Sequence, residues 1–339
     1  MYWIGLDVHE RTTSICILDG RGALVKEKTI KGHPRQTLAW LRTLDGPFQV
    51  CFEASTNYGW LHEQLAGLAE RVVVAHPGRL SLIFKSRRKN DRVDAARLAK
   101  LLFLDEVPEV HVPPKPRREW RSLIEFRTRC VRERTRTKNM LRALLRTHGI
   151  ESPRRLWTKK GLAWLQALPF EGSVAIRRDT MLETLEHHEK KIHRVECALQ
   201  DIADREPGVA ILMTIPGVGI RTAEAFVAYV DDPHRFSSNS IGPYLGLVPR
   251  QDASAGVNRL GRITREGPST VRKMLAEATW QAKRRSPSVR AMAERFQGNR
   301  PDRRKKALIA TAHHLARVML AMLKTGETWR ESPVLDRAA

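Results

Sequence analysis

Apolar positions at the start of the chain recur with the period of strands. "YWIGLDVH" (2–9) and "TSICIL" (13–18) alternate or run apolar, "DGRG" (19–22) is a turn signal, and "LVKEKTI" follows. The pattern predicts an opening antiparallel meander of three strands. A helix with Leu38, Trp40, Leu41 and Leu44 on its apolar side comes next. "FQVCFEA" (48–54) is a near-continuous apolar run, of the kind buried on both faces of a sheet. "NYGWLHEQLAGLAE" predicts a helix, "RVVVAHP" a strand, and 91–104 a helix burying Val93, Ala96, Leu98 and Leu101. The order βββ-α-β-α-β-α predicts an α/β domain: a mixed sheet with helices on its faces, ending near residue 112 at the proline-rich "VPPKPRREW".

The period then changes to that of long helices. Leu123/Ile124, Cys130/Val131, Leu141 and Leu144/Leu145 mark an amphipathic helix. Met181, Leu185, His188, Ile192, Val195, Leu199 and Ile202 follow alternating spacings of four and three, a heptad seam. The two helices are expected to pair as an antiparallel coiled-coil arm or an intermolecular contact, giving a helical region over 113–206. From 207 to 339 the pattern predicts a mostly helical C-terminal domain. "TIPGVGIRTAEAFVAYV" resembles the hairpin of a helix-hairpin-helix, in which Gly217 and Gly219 would let backbone N–H groups approach a phosphate. A short helix, a Gly-rich basic loop and a helix after Pro268 are expected next, and a last helix over roughly 304–324.

Charge narrows what such a chain binds. The 339 residues carry a formal net charge of +23, which favours a polyanionic partner, nucleic acid first. Residues 115–160 alone hold 16 Lys/Arg against 4 Glu, so the helical region has a basic outer face. The most apolar late stretch, "ALIATAHHLARVMLAML", is broken by two His and an Arg and reads as a buried helix rather than a membrane span. Cys16, Cys51, Cys130 and Cys197 form no CxxC pair, which argues for a reducing cytoplasm without a zinc knuckle or disulfide frame.

Four carboxylates stand against this background. Asp7 interrupts an apolar strand, where a charge is costly unless paired or metal-bound. Glu53 ends the buried strand, at the sheet edge where ligands of α/β folds gather. Asp91 and Asp94 open a helix whose positive end favours them, and their spacing of three puts them on one face. Taken singly, each reads equally as a cap or surface ion pair. In this order they are expected to converge, and clustered carboxylates need cations: two Mg²⁺ ions would serve and would suit phosphoryl transfer. Lys85, Arg87, Arg88 and Lys89 flank the site as phosphate contacts or as a solvated face. His9 shares the side of the strand that carries Asp7 and could reach the phosphate or simply be satisfied by a partner. Trp120 and Trp157 could stack on bases, although helix packing suits them as well.

"IGLDVH", "CFEAS" and "KNDRVDAARLA" together resemble the acidic motifs of the DEDD transposases of bacterial insertion sequences (the IS110 family with its IS1111 branch), and "GLVPRQDASAGVNRLGRITREGPSTVRKMLAEA" resembles that family's C-terminal transposase domain. The resemblance spans essentially the whole chain. It implies a RuvC-like, RNase H-type N-terminal domain with Asp7, Glu53, Asp91 and Asp94 as catalytic metal ligands. It further implies a recombinase acting as a dimer of dimers, which excises and inserts an element under the guidance of a structured bridge RNA that pairs with donor and target DNA. A serine in the C-terminal domain would be the nucleophile. Ser254 is the best match, although Ala255 stands where the family more often has glycine. Gly256 gives the loop backbone freedom, and Arg259, Arg262 and Arg265 are phosphate donors beside it. Ser237, Ser238 and Ser240 are competitors that would otherwise cap the next helix. Two other functions remain open at this point: a RuvC-like nuclease or junction resolvase using water, and a non-catalytic nucleic-acid-binding protein.

Overall fold

The structure, a computed structural model, describes residues 1–83, 90–254 and 257–331, the side chains of 253–258 excepted. The chain forms two compact units, Met1–Arg118 and Glu119–Ala339.

The first unit is built on β1 (Tyr2–Val8), β2 (Thr12–Leu18) and β3 (Leu24–Lys31), followed by α1 (Pro34–Leu41), β4 (Phe48–Glu53), α2 (Tyr58–Ala66), β5 (Arg71–Ala75), α3 (Pro77–Ile83) and α4 (Asp91–Phe103). The sheet order is β3-β2-β1-β4-β5, with β1 antiparallel to β2 and parallel to β4. The expected meander and mixed sheet are both present. The central strands are the apolar ones because each face is covered. Ile4, Leu6, Ile15, Val50, Phe52 and Val74 pack against Leu38 and Leu41 of α1 and Leu61 and Leu65 of α2. The opposite face carries Cys16, Cys51 and Val73 under Ala95, Leu98, Ala99 and Leu102 of α4. β3, at the edge, carries exposed Lys26, Lys28 and Lys31, which discourage edge pairing. The short helix α3 was not expected from the sequence.

The helix α5 (Lys115–Thr147) contains the division between the units, and α6 (Lys159–Gln166) and α7 (Gly172–Ala203) follow. α5 and α7 lie antiparallel. Ile124 shares a core with Val195 and Leu199, while Leu141, Leu144 and Leu145 share another with Met181 and Leu185. Ion pairs stitch the outside: Arg127 to Glu196 at 2.8 Å, Arg134 to Glu189 at 3.0 Å and Lys138 to Glu189 at 3.2 Å. Of the heptad seam, Met181, Leu185, Ile192, Val195 and Leu199 are buried.

The remaining elements are α8 (Pro207–Met213), α9 (Ile220–Val230), α10 (Ile241–Tyr244), β6 (Pro249–Ser254), β7 (Val257–Ile263), α11 (Ser269–Arg285), α12 (Pro287–Gln297) and α13 (Arg304–Thr325). One sequence expectation is revised here: the Gly-rich stretch after α10 is an antiparallel β-ribbon, not a loop. Within the second unit, Trp120, Ile124, Val195 and Leu199 enter the same core as Val209, Phe226, Leu275 and Met319. No described helix is long and apolar enough to cross a membrane.

Candidate metal centre and the C-terminal ribbon

The position of the candidate centre follows from one glycine. Residues of β1 alternate faces, so Asp7 shares the α4 side with Gly5. A Cβ on Gly5 would overlap the Ala95 carbonyl oxygen and the Ala99 amide nitrogen. The missing side chain lets α4 lie directly on the central strand. Asn90 caps this helix, its side chain accepting from the Arg92 N–H at 3.1 Å. The first turn, bearing Asp91 and Asp94, is thereby brought beside Asp7. In a strand, Gly5 gives no sign of this close packing until the helix above it is known.

The His9 Nε2 atom lies 3.3 Å from Asp7 Oδ2 and 3.7 Å from Asp91 Oδ2. Asp7, His9 and Asp91 each offer one ligand atom, all within 4.8 Å of one another, and among the described residues they are the one such cluster of three or more. Burial pushes the Asp7 carboxyl above its ordinary value; the charges of Asp91 and Asp94 add to this, while His9 opposes it. A cation is the natural relief for that frustration. Asp94 lies outside the three-residue cluster, with its Oδ1 accepting from Arg97 at 3.1 Å. Glu53 also lies outside it. It ends β4 one position beyond the Leu6–Phe52 pair, so it is the cross-strand neighbour of Asp7 on the same side of the sheet, and it is exposed. Lys85, Arg87, Arg88 and Lys89 lie outside the described residues.

The second unit places the other expected residues. The Ser254 backbone closes β6, paired with Val257; its side chain, with Ala255 and Gly256, lies outside what the structure describes. Exposed Arg259 and Arg262 lie on β7, whose pairing with β6 shifts register between Leu260 and Ile263, and Arg265 follows at a positive φ of 59°. The base of the ribbon is clasped by a residue that sequence reasoning missed. Arg272 of α11 donates to the carbonyls of Leu245 (2.9 Å), Glu266 (2.8 Å) and Arg265 (3.1 Å). Its only sequence signal was a cation early in a helix. Ser237 and Ser240 bond to one another's backbone N–H at 3.2 and 2.9 Å within the turn before α10, and the side chain of Ser240, its N-cap, makes no capping bond to that helix. Gly217, at φ +96°, packs against the α11 backbone at Ala282, whereas Gly219, at the start of α9, is exposed. Trp120 is buried, and Trp157 carries Lys138 and Arg142 over its ring.

Comparisons with known proteins agree in both halves. Residues 4–150 match a model of DEDD transposases of the IS110 type, and residues 209–294 match the transposase IS116/IS110/IS902 family. A putative transposase, y4qE, of Sinorhizobium fredii is 30% identical over 297 residues, covering 82% of this chain and 71% of that protein. The transposase for insertion sequence element IS1111A of Coxiella burnetii is 25% identical, covering 96% and 91%. That for IS1328 of Yersinia enterocolitica is 26% identical, covering 81% of each.

Proposed function

Because the chain belongs to the DEDD transposases of the IS110 family and is a DNA transposase, we propose that it excises and inserts its element by metal-dependent strand cleavage and rejoining through a serine–DNA intermediate. The observation that carries this reading is the meeting of Asp7, His9 and Asp91 at the end of the central strand, in a chain whose C-terminal half matches the same family. The donor set fits a divalent ion. Asp7, Asp91, Asp94 and Glu53 hold Mg²⁺, two ions on this reading, in a RuvC-like domain. The ion supplies charge neutralisation for the phosphate undergoing exchange.

Ser254 makes the attack. Its Oγ bonds to phosphorus as a backbone P–O bond breaks, and the leaving oxygen takes up the proton that the serine loses. A DNA hydroxyl then displaces the serine, rejoining the strand. The ribbon presents the serine, Arg272 fixes the ribbon's base, and Arg259, Arg262 and Arg265 bind phosphates. Lys85, Arg87, Arg88 and Lys89 contact the backbone beside the acids. The α8–α9 hairpin acts as a helix-hairpin-helix in which exposed Gly219 offers its N–H to a phosphate. The paired long helices form a coiled-coil arm within a dimer of dimers that takes donor and target duplexes and a bridge RNA.

Cleavage of DNA carrying the element ends tests this reading. Asp7→Asn is expected to abolish Mg²⁺-dependent cleavage with DNA binding retained, and Ser254→Ala to abolish it too. Full cleavage by Ser254→Ala would favour a water-using RuvC-like nuclease, cleavage unchanged in Asp7→Asn would remove the acid cluster from the chemistry, and DNA binding without any cleavage by the native chain would leave only a nucleic-acid-binding protein.

A further inference from the structure

We propose that His9 is itself a ligand of the ion at the carboxylate cluster, and that its nitrogen tilts the site from Mg²⁺ toward first-row transition dications such as Mn²⁺. This rests on the reading of the cluster as a metal centre. It departs from an all-carboxylate cage.

Geometry carries the inference. Adjacent ligands on one ion, each about 2.2 Å from it at right angles, are about 3.1 Å apart. The two His9 Nε2 separations, 3.3 Å to Asp7 and 3.7 Å to Asp91, approach that spacing before any ion draws the atoms together. Asp94 lies outside this cluster, its Oδ1 accepting from Arg97, so His9 is the third group beside Asp7 and Asp91. His9 is also held where a ligand must be. It begins the tight turn from β1 to β2, and its N–H donates to the Thr12 carbonyl at 2.8 Å, so the central hairpin fixes its backbone. Its side chain is 53% exposed, which leaves the outer side of the cluster open to a phosphate oxygen.

The chemistry follows from the donor set. Mg²⁺ takes oxygen ligands and is reluctant to shed water, whereas imidazole nitrogen strengthens binding of transition dications. Two carboxylates and one imidazole therefore discriminate where four carboxylates would not. A histidine serving only as a counter-charge between two acids would lie in the same place but give no nitrogen bond to the ion.

Pulsed electron paramagnetic resonance of the full chain loaded with Mn²⁺ separates the two. ¹⁴N modulation is expected for the native chain and its loss in His9→Ala, with Asp7→Asn losing the bound ion. Competition titration is expected to show the Mn²⁺-over-Mg²⁺ preference falling about tenfold in His9→Ala, in line with loss of one neutral ligand. His9→Gln, which offers oxygen, should restore Mg²⁺ affinity without nitrogen modulation. Mn²⁺ held in an Asp7-dependent way without nitrogen modulation, or an unchanged preference in His9→Ala, would overturn the role of His9 and leave the carboxylate centre standing. Mn²⁺ binding indifferent to Asp7→Asn would overturn the metal-centre reading as well.

Discussion

Gly5 and Glu224 show how single residues set the fold and how differently they are read. Gly5→Ala forces a methyl into the α4 backbone, and overpacking of this kind costs about 1–3 kcal/mol. The thermal midpoint should fall and Mn²⁺ affinity with it, because α4 carries Asp91. A midpoint equal to that of the native chain would refute the close-packing account. Glu224 of α9 is fully buried, and burial raises its carboxyl to about 7 although Arg221 Nη1 lies 3.0 Å away. For a raised acid, the stabilising contribution is complete below its unfolded value and is lost as pH rises through about 7. The native chain should therefore lose up to roughly 3 kcal/mol relative to Glu224→Gln between pH 5 and pH 8, read from urea midpoints. Asp7 and the Asp91/Asp94 pair were legible because charge broke an apolar pattern or repeated at helical spacing. Glu224 gave the same signal within "TAEAFVAYV" and was passed over. Gly5 gave none, since what it fits lies ninety residues away.

Elements were legible in proportion to their apolar periodicity. The seam from Met181 to Ile202 identified α7, and its burial against α5 explains why: Leu199 is fully buried between them and the C-terminal helices. Leu199→Ala is expected to cost about 2–5 kcal/mol, measured by denaturant unfolding. The β6–β7 ribbon escaped notice because none of its described side chains is buried, so no alternation marks it; Leu260 is 66% exposed. An isolated two-stranded ribbon is marginal on its own, so its base must be held. Arg272→Ala removes three hydrogen bonds to the flanking carbonyls. DNA cleavage should drop at least about tenfold while the melting temperature of the chain changes little, the surrounding core being intact. Normal cleavage by this variant would show that the clasp does not position the ribbon.

At the scale of the whole chain, charge was read directly and compactness was not. The excess of +23 predicts electrostatic binding in which the affinity for duplex DNA falls steeply with salt, by roughly 10³ or more between 50 and 200 mM for six or more phosphate contacts. Affinity insensitive to salt would contradict it. The core running from Ile124 and Leu199 to Phe226 and Leu275 lies within the single compact unit Glu119–Ala339. Shared burial of that kind has no local signature. The central claim is that DNA becomes covalently attached to Ser254. Cleavage of element-end DNA with Mg²⁺, quenched in denaturant and digested with nuclease and protease, allows mass spectrometry of the ribbon peptide. A nucleotide bonded to Ser254, absent from Asp7→Asn, is the expected result. Cut DNA with free phosphate and hydroxyl ends and an unmodified peptide, or a nucleotide on another residue, would contradict it.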